Sequence, residues 1–169
     1  MNGHAVHTLA LLEARVRLRR LSTLVTLLVV VAIMGVLASV AAPSFSSLVA
    51  NQRARAASTE LYAAISLARS EAIKRNLPVS LVPVSGDNWA AGWRIPNPTD
   101  SGHPILVHEA LSNGTITGPS SVVYLASGRV RADERPSFDV SFPQASTPRC
   151  VQVDLSGRVM TKAARCPAS

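Results

Sequence analysis

The chain has 169 residues and a formal net charge of +7, with 17 Lys and Arg against 10 Asp and Glu. There is no Gly-x-Ser-x-Gly, no phosphate-cradling glycine loop and no zinc motif, and the four histidines at 4, 7, 103 and 108 lack metal-ligand spacing. These features argue against an enzyme, a metal centre and a cofactor, and leave one compact domain beside a strongly apolar N-terminal segment.

Residues 1–21 form a basic leader in which Arg15, Arg17, Arg19 and Arg20 against Glu13 give +3, while residues 22–169 carry +4. No further charge occurs before Arg53. The most apolar part, Thr23–Ala42, is 20 residues, or about 30 Å of helix, which matches the hydrocarbon thickness of a bilayer. The arginines before it favour a cytoplasmic N-terminus and export of the residues C-terminal to the apolar helix. A cleaved secretory signal is the competing reading, because Ala38-Ser39-Val40-Ala41-Ala42 offers small residues. Against it, the apolar run exceeds the usual ~7–15 residues, and a helical pattern continues past Pro43.

That pattern places Phe45, Leu48, Val49, Ala57, Leu61, Ile65, Ala68 and Ala72 on one helical face. One long helix is therefore expected to run to about Arg75, kinked near Pro43, with Asn76 as its cap and Pro78 preventing further winding. The expected organisation is a leader over 1–21, a transmembrane or filament-core helix over 22–50, and an amphipathic helix plus β-domain over 51–169.

From Val79 the period changes to two. Strand-like runs occur at Val79–Val82, Trp93–Ile95, Ile105–His108, Val122–Leu125, Phe138–Phe142 and Cys150–Leu155, separated by turn residues such as Asn113-Gly114 and Ser156-Gly157. In the last run Val151, Val153 and Leu155 share one face, as in an antiparallel sheet covered on one side, here by helix residues 57–73. The fold class expected is α+β. Cys150 and Cys166 fall on the exported side, where a disulfide is permitted, and pairing them would stabilise by about 3 kcal/mol.

A basic leader, a long apolar helix with proline at its outer end, an amphipathic continuation and a β-domain together resemble type IV pilins and pseudopilins. The segment Ala41–Leu81, which contains Leu-Ala-Arg-Ser-Glu-Ala-Ile-Lys-Arg-Asn at 67–76, is most similar to the FimT/GspH branch of minor pilins. Trp89, Gly92-Trp93, Arg149-Cys150-Val151 and Ser156-Gly157-Arg158-Val159 also fit that branch. The resemblance implies a structural subunit of a type IV pilus or a type II secretion pseudopilus at the bacterial inner membrane. Its partners would be other pilins or pseudopilins, reached through the N-terminal helix, together with the inner-membrane assembly platform and a prepilin peptidase. The N-terminus would be cytoplasmic and the β-domain periplasmic, or displayed on a filament.

Two positions depart from that pattern. The peptidase junction, normally Gly-Phe followed by methylation of the new terminus, aligns with Leu21-Ser22, and the usual glutamate aligns with Thr26. A carboxylate inside a membrane is costly and seeks a cationic partner, whereas a threonine hydroxyl, as at Thr26, is expected to satisfy itself locally on a backbone carbonyl.

The resemblance also implies a second role, since some FimT-type minor pilins bind DNA through a C-terminal Gly-Arg-x-Arg motif. The matching segment is Gly157-Arg158-Val159-Met160, in which the second arginine is absent. Arg158, Lys162 and Arg165 are the candidate contacts to duplex DNA, with a solvated basic hairpin as the alternative. Another copy of the motif, Gly128-Arg129-Val130-Arg131, is followed by Asp133 and Glu134, which reduce its potential. Trp93 is expected to pack in the core, and Trp89 is open between core and ligand contact. Glu60 and Glu71, on a helix rich in arginine, read as surface ion-pair partners.

Overall fold

The structure is a computed structural model that describes residues 3–133 and 135–167, without the side chains of 3–23 and 40–43. Leu21, Ser22 and Pro43 are therefore outside the described side chains, and the expected kink with them. Met1–Phe45 and Ser46–Ser169 form separate units. In the first, helix α1, Gly3–Arg75, carries the apolar segment, and its large side chains between Leu24 and Leu37 are 44–65% exposed.

Within the second unit α1 ends as the sequence indicates, and the hydrogen bonds show why. Asn76 adopts φ 53°, which turns its N–H onto the carbonyl of Ile73 at 3.3 Å and that of Leu77 onto Ala72 at 3.3 Å. These are the two bonds of a Schellman cap. Lys74 and Arg75 in the last turn complement the helix dipole. The buried stripe is Ala50, Ala54, Ala57, Leu61, Ala64, Ile65, Ala68 and Ala72.

The strands are β1 (Val79–Ser85), β2 (Asn88–Ile95), β3 (Leu106–His108), β4 (Thr115–Thr117), β5 (Val122–Tyr124), β6 (Ser137–Ser141), β7 (Arg149–Val153) and β8 (Val159–Lys162). They form two four-stranded sheets, ordered β3-β2-β1-β5 and β4-β6-β7-β8, and every pairing among them is antiparallel. One hydrophobic core joins the buried helix stripe to both sheets, with Leu81, Trp93 and Tyr124 from the first and Phe138, Val140 and Val151 from the second.

Phe45 and Leu48, in the stretch expected to be transmembrane or filament-core helix, are 68% and 55% exposed, and the buried stripe begins at Ala50. Some strand expectations change. β4 was not among the expected runs; only Ile116 of its three residues is buried, and its place comes from pairing with β6. Leu155 is half-buried rather than on the covered face, because the chain has already left β7 for a turn.

Candidate functional site: two Gly-Arg turns held by one arginine

Five-residue turns of the same construction occur twice. In Leu125-Ala126-Ser127-Gly128-Arg129, Leu125 N–H donates to the Arg129 carbonyl at 2.9 Å and Gly128 N–H to that of Leu125 at 2.8 Å. In Asp154-Leu155-Ser156-Gly157-Arg158, Asp154 N–H donates to Arg158 at 2.8 Å and Gly157 N–H to Asp154 at 2.7 Å. Both glycines are left-handed, with φ of 75° and 86°, a region costly for any residue with a Cβ. The first turn closes a hairpin between β5 and residues 130–131, where Tyr124 bridges Val130. The second joins β7 to β8.

The turns belong to different sheets but meet. A Cβ on Gly157 would stand 2.0 Å from the Gly128 carbonyl oxygen. Arg69 of α1 ties them together, its Nε donating to the Gly128 carbonyl at 3.1 Å and its Nη2 to the Ser156 carbonyl at 3.2 Å. From inside, the buried Tyr124 hydroxyl donates to the Gly157 carbonyl at 3.2 Å. Burial pushes this phenol far above its ordinary value, against the opposing charge of Arg69, so it stays a donor. Asp154 Oδ1 accepts the Ser156 N–H at 2.7 Å. That bond, helped by the charges of Arg135 and Arg158, holds the Asp154 carboxyl below its ordinary value.

The candidate cations lie at and beyond the second turn. Arg158, Lys162 and Arg165 are all exposed, as are Arg129 and Arg131 beside the first. Among the described residues none of these five forms an ion pair within 4.0 Å. Strict alternation along a strand would place Arg158, Met160 and Lys162 on one face. β8 begins at Val159, so Arg158 belongs to the turn, while Met160 and Lys162 stand opposite Gln152 and Cys150. Met160 is half-buried there. Cys150 and Cys166 are joined by a disulfide, and Cys166 N–H also donates to Asp139 Oδ1 at 2.8 Å. Both anchor the tail that carries Arg165.

Neither tryptophan offers a stacking surface. Trp89 is fully buried, donates Nε1–H to the Pro119 carbonyl at 2.7 Å and meets Phe138 edge-on at 4.8 Å. Trp93 is equally buried and stacks on His108 at 3.8 Å. Glu60 contacts His108 Nε2 at 3.1 Å, linking helix to β3. Glu71 accepts from Arg75 Nε at 2.6 Å. Sequence reasoning missed the connection of Arg69 with the turns, which lie 59 and 87 residues away. The available signal was the repeated Ser-Gly-Arg-Val at 127–130 and 156–159.

The model of the family described as Type II transport protein GspH matches residues 57–157, from the buried helix stripe through the second Gly-Arg turn. The chain belongs to the GspH family. In fold it is similar to the type IV minor pilin FimU of Pseudomonas aeruginosa in two crystal forms. One is 19% identical with a TM-score of 0.56, covering 64% of this chain and 91% of FimU. The other is 18% identical with a TM-score of 0.55, covering 64% and 87%. No curated protein sequence matches. The GspH assignment explains the long helix packed on antiparallel sheets and identifies the chain as pilin-like. Thr26 lies in the exposed apolar stretch of α1, long and apolar enough to cross a membrane.

Proposed function

We propose that the chain is a minor pilin or pseudopilin, a structural subunit of a type IV pilus or a type II secretion pseudopilus. The observation that carries this reading is the division of labour along α1. Residues after Ala50 supply the core of the β-domain, whereas the large apolar side chains from Leu24 to Leu37 are left uncovered by the chain itself. Such a surface needs lipid before assembly and other apolar helices after it. The arginines at 15–20 hold the N-terminus in the cytoplasm, and the β-domain with its disulfide is periplasmic or displayed on the filament. Leu21-Ser22 is the position where a prepilin peptidase would act, and Thr26 leaves the membrane segment without the buried charge of other pilins. Reporter fusions after Arg75 should be active only in the periplasm, and epitope-tagged chain should appear in sheared pilus or pseudopilus fractions. Active cytoplasmic fusions would overturn the topology, and absence from filaments would overturn the structural role.

A second reading, a DNA-binding minor pilin acting in DNA uptake, is favoured by Arg158, Lys162 and Arg165 on the C-terminal segment, exposed and without an ion pair among the described residues. Contacts of this kind bind phosphates regardless of sequence and weaken steeply with salt. Met160→Arg, which restores the second arginine of the motif, should strengthen retention of duplex DNA. The reading fails if neither wild type nor Met160→Arg binds at low salt.

A further inference from the structure

Charge is unevenly placed in the unit that holds the β-domain. Asn51 Oδ1 accepts the Ser146 and Thr147 N–H at 3.1 and 3.3 Å, which brings the approach to β7 to the level of Asn51 on α1. Arg53 and Arg55 follow Asn51 within about one helical turn. Arg149 opens β7, Lys162 stands opposite Cys150, and Arg165 precedes Cys166, whose disulfide leaves its Cα 5.0 Å from that of Cys150. The register brings Asp139 to the same place, opposite Cys150 on β6, and its Oδ1 is already engaged by Cys166 N–H. These five cations and one carboxylate amount to +4. The unit's other basic and acidic residues number eight each, so this cluster equals its whole net charge. Arg53, Arg55, Lys162 and Arg165 are exposed and Arg149 is half-buried. Among the described residues none of the five forms an ion pair within 4.0 Å.

The place of the cluster in the chain indicates its partner. Arg53 follows Arg20 by 33 positions with no charge between them, about 50 Å of helix against about 40–45 Å for a bilayer with its headgroups. With Arg20 at the cytoplasmic surface, Arg53 stands at the outer edge of the exported headgroup layer, within reach of a flexible side chain. Positive charge so near the exported end of a membrane helix opposes its translocation, and no ion pair in the fold offsets that cost. Arg53 and Arg55 are about 200° apart around α1 and about 3 Å apart along it. They ring the helix at one level, which suits a flat layer of phosphates around it rather than a partner against one side. We propose that Arg53, Arg55, Lys162 and Arg165, with the added field of Arg149, form a basic collar that binds anionic phospholipid headgroups of the exported leaflet and holds the β-domain against the membrane. This rests on the membrane topology proposed above. Each cation brought to an anionic surface adds to the attraction, and salt screens it.

The test uses the full chain reconstituted in nanodiscs of phosphatidylcholine, alone or with phosphatidylglycerol, each with a trace of dansyl-labelled phosphatidylethanolamine. Trp89 and Trp93 are the only tryptophans and both lie in the β-domain, so energy transfer to dansyl reads its approach to the headgroups. Transfer should rise with phosphatidylglycerol, and high salt should abolish the rise. Arg53→Gln with Arg55→Gln should remove about half of it, and further Lys162→Gln and Arg165→Gln the remainder. Lys74→Gln, 21 positions beyond Arg53 on α1, should leave it intact. Retention of the chain in the discs is scored separately. A retained chain whose transfer ignores phosphatidylglycerol, or an Arg53→Gln, Arg55→Gln variant that behaves as wild type, refutes the collar and leaves the topology standing. A chain that is not retained overturns the topology and the collar with it. Variants that keep the phosphatidylglycerol response but lose retention of duplex DNA would assign these cations to the DNA-binding reading and refute the collar.

Discussion

Replacing Gly157 by alanine adds one methyl group where a Cβ would stand 2.0 Å from the Gly128 oxygen and 3.0 Å from the Tyr124 ring. Two costs add. The left-handed backbone at φ 86° disfavours any Cβ by about 1–2 kcal/mol. The overlap is with backbone rather than a flexible side-chain tip, so the two turns must separate, an overpacking cost of about 1–3 kcal/mol. Separation also stretches the Arg69 and Tyr124 hydrogen bonds. Gly86→Ala is the internal control, because Gly86 has φ 51° but nothing within 4 Å of its Cβ position. It should show the backbone cost alone. The assay is urea unfolding of the full chain in detergent, followed by tryptophan fluorescence, since Trp89 and Trp93 are both buried in the β-domain. Gly157→Ala should lower stability by about 2–5 kcal/mol and Gly86→Ala by about 1–2 kcal/mol. Equal losses for the two would refute the contact between the turns.

The disulfide closes a separation of 16 residues, so paired Cys150→Ser and Cys166→Ser substitution should cost about 3 kcal/mol. Thiol labelling of unreduced, denatured wild type should find neither sulfur free, and two labelled thiols would reject the bond. Glu71 supplies a pH dependence of defined sign. Its carboxyl is held below the ordinary 4.5, chiefly by the hydrogen bond from Arg75. A depressed carboxylate contributes stability that is present above its unfolded value and lost as acid titrates the folded group. Melting temperatures of wild type and Glu71→Gln should therefore differ at neutral pH, and the difference should shrink as the pH falls below the ordinary 4.5. A difference that does not shrink on acidification would contradict the ion pair.

The helix and most strands were legible because local signals agreed with the final packing. Periodicity marked Ala57, Leu61, Ile65, Ala68 and Ala72, all buried, and Asn76 with Pro78 marked the end of α1. Edges were less legible. Thr115–Thr117 is too short to show alternation and owes its strand to β6. Trp89 could not be placed from sequence because its indole is satisfied by the Pro119 carbonyl, 30 residues away. The candidate site was legible as two separate Gly-Arg motifs and not as one surface. Its unity depends on Arg69, and contacts across 59 and 87 residues leave no local pattern.

The central claim is that the exposed apolar stretch of α1 packs among the helices of other pilin-like subunits. A photo-crosslinking residue at Val31, 58% exposed in that stretch, tests it most directly, with Val107 on β3, also 58% exposed, as the comparison site. In cells assembling the native filament, Val31 should yield an adduct with another pilin or pseudopilin, identified by mass spectrometry and lost when assembly is blocked. Persistent crosslinking to lipid alone, with the filament assembled, would contradict the account.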